Sequence, residues 1–475
     1  MKHFKTLIAV IVIVSALALL AFGPGSDAPA PDGFVVVDYW EKWTSNEARQ
    51  MHDIVNDFNN TVGKDKHIFV RFVSTSDIEQ KTLVSTAGGD PPDIAGLYDG
   101  NLVTFASLDA LTPLEKMATE HGITAETYKP VYWDACHYKG HLYALISTPA
   151  AVALHYNKRL MRENAPALRA AGLDPERPPK TIDELDAYAA ALDHRAPDGH
   201  IDRTGFLPTV PGWYLNQEYF WFGANIWDPV HEKFTLTDPG VVRAYTWVQS
   251  YSKRLGADAI SNFKTGVGNF DSPQNEFLAG TQVMEQQGPW MANYIFNLKP
   301  EMDGLKPGEI DDTSLPLEQR RARMDWAVAP FPSAVPGLEN VSYCAFDTLV
   351  IPRGAKHPQE AFDFIAFVNR QDEMEKLCNM HSKNSPLRKV SQYFLNHSKN
   401  PYIDVFEMLA SSPNARSLPQ IPIWSEVADE LTNAIGRIAL MKAEPIVALK
   451  DAQDRLQQHY DLYAARQKQR LAMQH

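Results

Sequence analysis

The segment Thr86-Ala87-Gly88-Gly89-Asp90-Pro91-Pro92-Asp93-Ile94 constrains the fold more than any other stretch, because it must end a helix, turn and start a strand in quick succession. Residues 78–86 have the length and residue types of a helix, and Gly88-Gly89 supplies the permissive backbone that closes one. Pro91-Pro92 cannot continue that helix and favours extended geometry. Residues 93–98 therefore read as a buried strand whose carboxyl end carries Tyr98, Asp99 and Asn101 into a loop. In an α/β sheet, ligands sit at such strand ends.

The same alternation appears upstream. Residues 34–40 form a near-continuous apolar run that ends in a Trp40-Glu41-Lys42-Trp43 loop, the pattern of a central parallel strand. Met51, Ile54, Val55 and Phe58 fall at helical spacing, and residues 68–73 give a second strand. The βαβ unit thus repeats, which predicts a doubly wound α/β lobe. A second α/β unit begins where residues 145–149 lead into 152–156, and a chain of 475 residues is too long for one ordinary core. Residues 300–323, rich in proline, glycine and charge, predict a surface insertion.

Charge excludes one class of partner. A formal net charge of -13 with no Lys/Arg stripe is incompatible with a nucleic-acid backbone, which needs a basic face. Cys136, Cys344 and Cys378 cannot all pair and form no CxxC motif, so they predict structural burial with one optional disulfide. At the amino terminus, Lys2 and Lys5 precede an apolar run over residues 7–22 and a Pro/Ala/Asp-rich stretch to Gly33. That layout predicts an export signal or an uncleaved membrane anchor followed by a tether, either of which places the globular part outside the cytoplasm.

Aromatic residues concentrate in expected loops: Trp40, Trp43, Trp213, Tyr219, Trp290 and Trp424. Sugars present C–H faces that stack on such rings and hydroxyl edges that bind carboxylates, so Glu41, Asp99 and Asp347 complete a candidate cleft. No phosphate loop, HExxH zinc motif, GxSxG elbow or complete GxGxxG is present, and no metal or cofactor is expected. His155 reads as structural. Glu218 with Glu285 keeps glycoside hydrolysis open, because that chemistry depends on a spatial separation that sequence does not reveal.

Further segments extend the pattern in chain order: Tyr138-Lys139-Gly140-His141-Leu142-Tyr143-Ala144-Leu145, His155-Tyr156-Asn157-Lys158-Arg159-Leu160-Met161 and Pro179-Lys180-Thr181-Ile182-Asp183-Glu184-Leu185. Phe277-Leu278-Ala279-Gly280, Gly288-Pro289-Trp290, Trp326-Ala327-Val328-Ala329-Pro330-Phe331-Pro332 and Pro422-Ile423-Trp424 follow. With the Gly-Gly-Asp-Pro-Pro-Asp turn, this series resembles the carbohydrate-type extracellular solute-binding proteins of ABC importers, the maltose-binding class. The resemblance implies an α/β, two-lobed periplasmic binding protein fold of type II, with a hinge and an interlobe ligand cleft. It divides the chain into a signal or anchor and tether (1–33), one lobe (34–147 plus 330–380) and another (148–329 plus 381–475). Trp290 matches the family's Gly-Pro-Trp stacking residue, Trp424 a second stacking position, Tyr219 falls near a third, and Asp99 resembles a cleft aspartate. The implied function is capture of a small-molecule carbohydrate and delivery to membrane permease subunits by a monomer, without catalysis. A secreted glycan hydrolase and an anchored sugar sensor are the alternatives.

Overall fold

The computed structural model describes residues 30–474, so the apolar run at residues 7–22 lies outside it. Strand β1 (Val35–Glu41), helix α1 (Ser45–Asn60), β2 (Ile68–Ser74), α2 (Ile78–Ala87), β3 (Ile94–Tyr98) and α3 (Asp99–Ser107) follow the expected alternation. Helix α1 buries Met51, Ile54, Val55 and Phe58. After α2, Gly89 takes the left-handed conformation with φ 79° that the turn demands. Asp93 is buried, and its carboxylate accepts the N–H groups of Asp38 (3.0 Å) and His357 (2.8 Å), so the turn is fastened at both ends. Asp99 does not lie in a loop, as its sequence context suggested; it opens α3.

The chain continues through β4 (Leu145–Ala151), β5 (Ala153–Asn157), α4 (Pro239–Leu255), β6 (Met284–Gln287), α5 (Met291–Leu298), β7 (Trp326–Ala329) and β8 (Ser342–Val350). Helices α6 (Pro358–Val368) and α7 (Gln371–Met380), strand β9 (Ala415–Arg416), and helices α8 (Trp424–Ala439) and α9 (Pro445–Gln474) complete it.

Two principal sheets result. The first has the order β9-β8-β3-β1-β2, with β4 also paired to β8. Strands β2 and β3 run parallel to β1, whereas β8 is antiparallel to β3 and β4. The second is β6-β5-β7, with both neighbours antiparallel to β5. The chain passes between them at Val152 and again over residues 330–341. The Ser342 hydroxyl joins these passages, accepting from the Val152 N–H at 2.9 Å and donating to its carbonyl at 2.8 Å.

Helices α8 and α9 pack on each other and on α4, while the Thr104 hydroxyl of α3 donates to the Pro422 carbonyl at 2.9 Å just before α8. The three cysteines are buried and unpaired. The expectation of a surface segment over residues 300–323 holds for most of its length, with residues 306–310 all exposed, but Met302, Asp303, Leu305 and Arg320 are buried. Arg320 pairs with Asp311 at 2.6 Å and donates to the Ser398 carbonyl at 2.9 Å, so this segment clamps residues 398–399. His155 lies fully buried on β5, stacked 5.9 Å from Trp326, and burial pushes its pKa down to about 3.

Candidate functional site

The carboxyl ends of β1 and β3, the middle of β8 and the segment after α7 converge on one buried carboxylate. Asp347 on β8 stands opposite Tyr98 on β3 and Thr148 on β4. Its oxygens take Lys42 Nζ at 3.0 Å, Lys383 Nζ at 3.1 Å and the Thr148 hydroxyl at 3.0 Å. Burial alone would raise its pKa, but the two ammonium groups hold it well below the usual carboxylate range. Lys42 also reaches Glu41 Oε1 (3.2 Å) and the Leu97 carbonyl (3.3 Å). Burial opposes its charge, yet Asp347 and Glu41 raise its pKa above that of free lysine.

Lys383 also donates to Thr148 Oγ1 at 2.8 Å, which uses two of its three donors on the protein. Its ammonium sits 5.8 Å from the centroid of Trp43 and 5.6 Å from that of Trp290. Trp43 follows β1 of the first sheet, and Trp290 follows β6 of the second. The Trp290 ring folds back over Gly288, where a Cβ would come within 2.4 Å of the indole; only glycine permits that pose. Asn400 holds both walls, donating to the Pro289 carbonyl at 3.0 Å and the Ser382 carbonyl at 3.2 Å. Trp213 approaches Trp290 at 6.4 Å and is 47% exposed.

Asp99 and Trp424 meet beside this cluster. The Trp424 indole covers Gly100, whose Cβ would lie 2.8 Å from Cδ1, and both residues line one small cavity with Phe346. Asp99 accepts from the Tyr343 hydroxyl and the Gly100 N–H, each at 2.8 Å. Burial pushes Asp99 up to about 6, only partly offset by these bonds. With a folded pKa above the unfolded value, this group favours folding fully below pH ~4, and that contribution is lost as pH rises through about 6. We expect the stability difference between wild type and Asp99→Asn to move by about 2 kcal/mol between pH 4 and 7, with wild type losing ground as pH rises. Urea titrations at several pH values check this, and parallel profiles would refute it.

Two expected site residues are corrected. Glu41 is fully buried: its carboxylate takes the Tyr39 hydroxyl (2.6 Å), the Lys42 N–H (2.8 Å) and Lys42 Nζ. It fills the space left by Gly96, where a Cβ would lie 1.9 Å from Oε2, so it orients Lys42 and offers nothing to a solute. Tyr219 is buried in a 3-10 helix against Phe220, because that helix turns most of its side chains inward. Trp40 alternates with Tyr39 and Glu41 along β1, so it lies on the opposite face of the strand from the Lys42 carboxylate partner. Lys42, Lys383, Thr148 and Tyr343 were missed. The one signal for Lys383 is the polar run His381-Ser382-Lys383-Asn384-Ser385 before Pro386, directly after an amphipathic helix.

Residues 53–395 match the model of the bacterial extracellular solute-binding proteins, and the chain belongs to that family. It is an extracytoplasmic substrate-binding component of the ABC-transporter type. A protein of Brucella abortus named as a binding protein is 25% identical over 387 residues, spanning 78% of this chain and 80% of that one. The sn-glycerol-3-phosphate-binding periplasmic protein of Pectobacterium atrosepticum is 26% identical over 287 residues, 57% of each chain. The structure of CpMnBP1 with mannobiose bound superposes with a TM-score of 0.70 at 25% identity, covering 88% of this chain and 98% of that one. Among the described residues, no helix is long and apolar enough to cross a membrane.

Proposed function

We propose that the protein captures a neutral carbohydrate between Trp43 and Trp290 and hands it to the permease of an ABC importer. The observation that carries this reading is the pair of tryptophans, one from each sheet, flanking a single lysine that keeps a free donor. Rings of this kind stack on sugar C–H faces, while Lys383 and Asp347 address hydroxyl edges. Lys42 and Lys383 are balanced by Asp347 and Glu41, so the floor has no surplus positive charge for a phosphate. That favours a sugar over a glycerol phosphate such as the Pectobacterium relative is named for.

In this reading the two sheets are the cores of the two lobes; the boundary expected at 147/148 shifts to Val152, because β4 runs on to Ala151 paired with β8, and β9, within residues 381–475, also joins the first sheet. Ligand contacts made by both lobes shift the population towards the closed form that the permease recognises. The protein acts as a monomer, exported or tethered through its first 33 residues, and catalyses nothing. Binding without catalysis is supported by the family and by Glu218 and Glu285, both fully buried away from water and pushed well above the usual carboxylate range by that burial.

Thermal-shift screening with mannose and glucose oligomers and glycerol 3-phosphate tests the ligand class, since a ligand at about a thousand times its Kd adds roughly 4 kcal/mol. Stabilisation by glycerol 3-phosphate alone would overturn the neutral-ligand reading. Trp290→Ala is expected to weaken sugar binding by about 1–3 kcal/mol with the fold intact. A ligand-free destabilisation of about 3–5 kcal/mol, as for a core tryptophan, or an unchanged affinity, would remove Trp290 from the site.

A further inference from the structure

Beside Trp213 lies a second cavity of about 220 Å³, walled by Thr209, Trp213, Lys264, Phe270 and Glu276. That is room for several waters at ~30 Å³ each, or for one pyranose ring. Its wall carries two buried polar groups without partners: the Thr209 hydroxyl and Oε1 of Glu276, on residues 7% and 2% exposed. Each such group costs about 1–3 kcal/mol when nothing completes it, and folded proteins satisfy nearly all of theirs. Trp213 connects this cavity to the cleft: it packs 4.4 Å from Phe270, lies 6.4 Å from Trp290, and is half-exposed.

We infer that the ligand is an oligosaccharide, with one ring on Trp290 and a further ring carried over Trp213 into this second pocket, where Thr209 and Glu276 bind its hydroxyls. The inference rests on the carbohydrate reading of the cleft and adds chain length to it. Lys264 and Glu276 place one ammonium and one carboxyl on the same wall, so the lining carries no surplus positive charge to select a free anion. A hydroxyl both donates and accepts, so it completes the Thr209 hydroxyl and the Glu276 carboxyl together.

Calorimetry with mannose, mannobiose, mannotriose, glucose, maltose and maltotriose tests it in wild type, Thr209→Val, Glu276→Gln, Val267→Trp and Trp290→Ala. Val267 lines the same pocket, and tryptophan there fills it. Pocket variants are expected to bind the longest accepted sugar about tenfold or more weakly, the loss of roughly one hydrogen-bonding group, and shorter ones unchanged. Trp290→Ala weakens every length. Where Val267→Trp fails to fold, Thr209→Val and Glu276→Gln carry the comparison alone. Equal affinity of all pocket variants for every length, with Trp290→Ala still impaired, overturns the second pocket and leaves the cleft reading standing. Failure of wild type to bind any of these sugars overturns both.

Discussion

Alanine in place of Asp347 is expected to destabilise the ligand-free protein by about 3–5 kcal/mol, because it leaves two buried ammonium groups without their shared counter-charge. Lys42 would keep Glu41 and the Leu97 carbonyl, but Lys383 would keep only the Thr148 hydroxyl. Urea unfolding at pH 7 measures the loss. The wild-type profile fixes the sign. Asp347 has a depressed folded pKa, so its contribution is present above the unfolded value near 4 and is lost as pH falls below it. Wild type and Asp347→Ala therefore converge in acid. A difference at pH 7 below about 1 kcal/mol, typical of an exposed pair, would show that the triad is solvated.

A comparable loss, about 3–5 kcal/mol, is expected for Arg320→Ala, although this residue is remote from any ligand. Its guanidinium is fully buried, and truncation orphans the Ser398 and Lys399 carbonyls while leaving Asp311 to Arg323 alone. The next residue, Asn400, is the one that ties the Pro289 and Ser382 carbonyls together. Loss of the clamp therefore loosens both the Trp290 loop and the Lys383 segment. Thermal melts and sugar titration of the same variant should both be impaired; a large drop in Tm with unchanged affinity would break this chain of positioning.

The first sheet was legible because its signals are local: apolar runs, helical spacing in α1, and a Gly-Pro turn whose geometry admits few alternatives. The sequence singled out Trp43 as an aromatic residue just after an apolar strand and Asp347 as a carboxylate set among the apolar residues of β8. It did not single out Lys42 and Lys383, since an isolated lysine reads as solvated; only the register of β8 against β3 and β4 brings a carboxylate between them. Glu41 was misread as a ligand group because its destination depends on Gly96 of a neighbouring strand. Tyr219 was misjudged because a 3-10 helix carries no periodic mark in sequence to show which residues turn inward. Trp40 was expected in a loop of the cleft but lies within β1, on the strand face opposite Tyr39 and Glu41.

Strand β8 also sets a timetable. It is the partner of both β3 and β4, yet it is the last long strand to be made, ending at Val350 when β3 ended at Tyr98. At about 5–20 residues per second, the edge of β3 waits roughly 10–50 s for its neighbour. Until then the emerging chain carries an unpaired apolar edge open to wrong pairing, and it cannot complete its first sheet. The topology thus withholds the native state until nearly three-quarters of the chain has been synthesised.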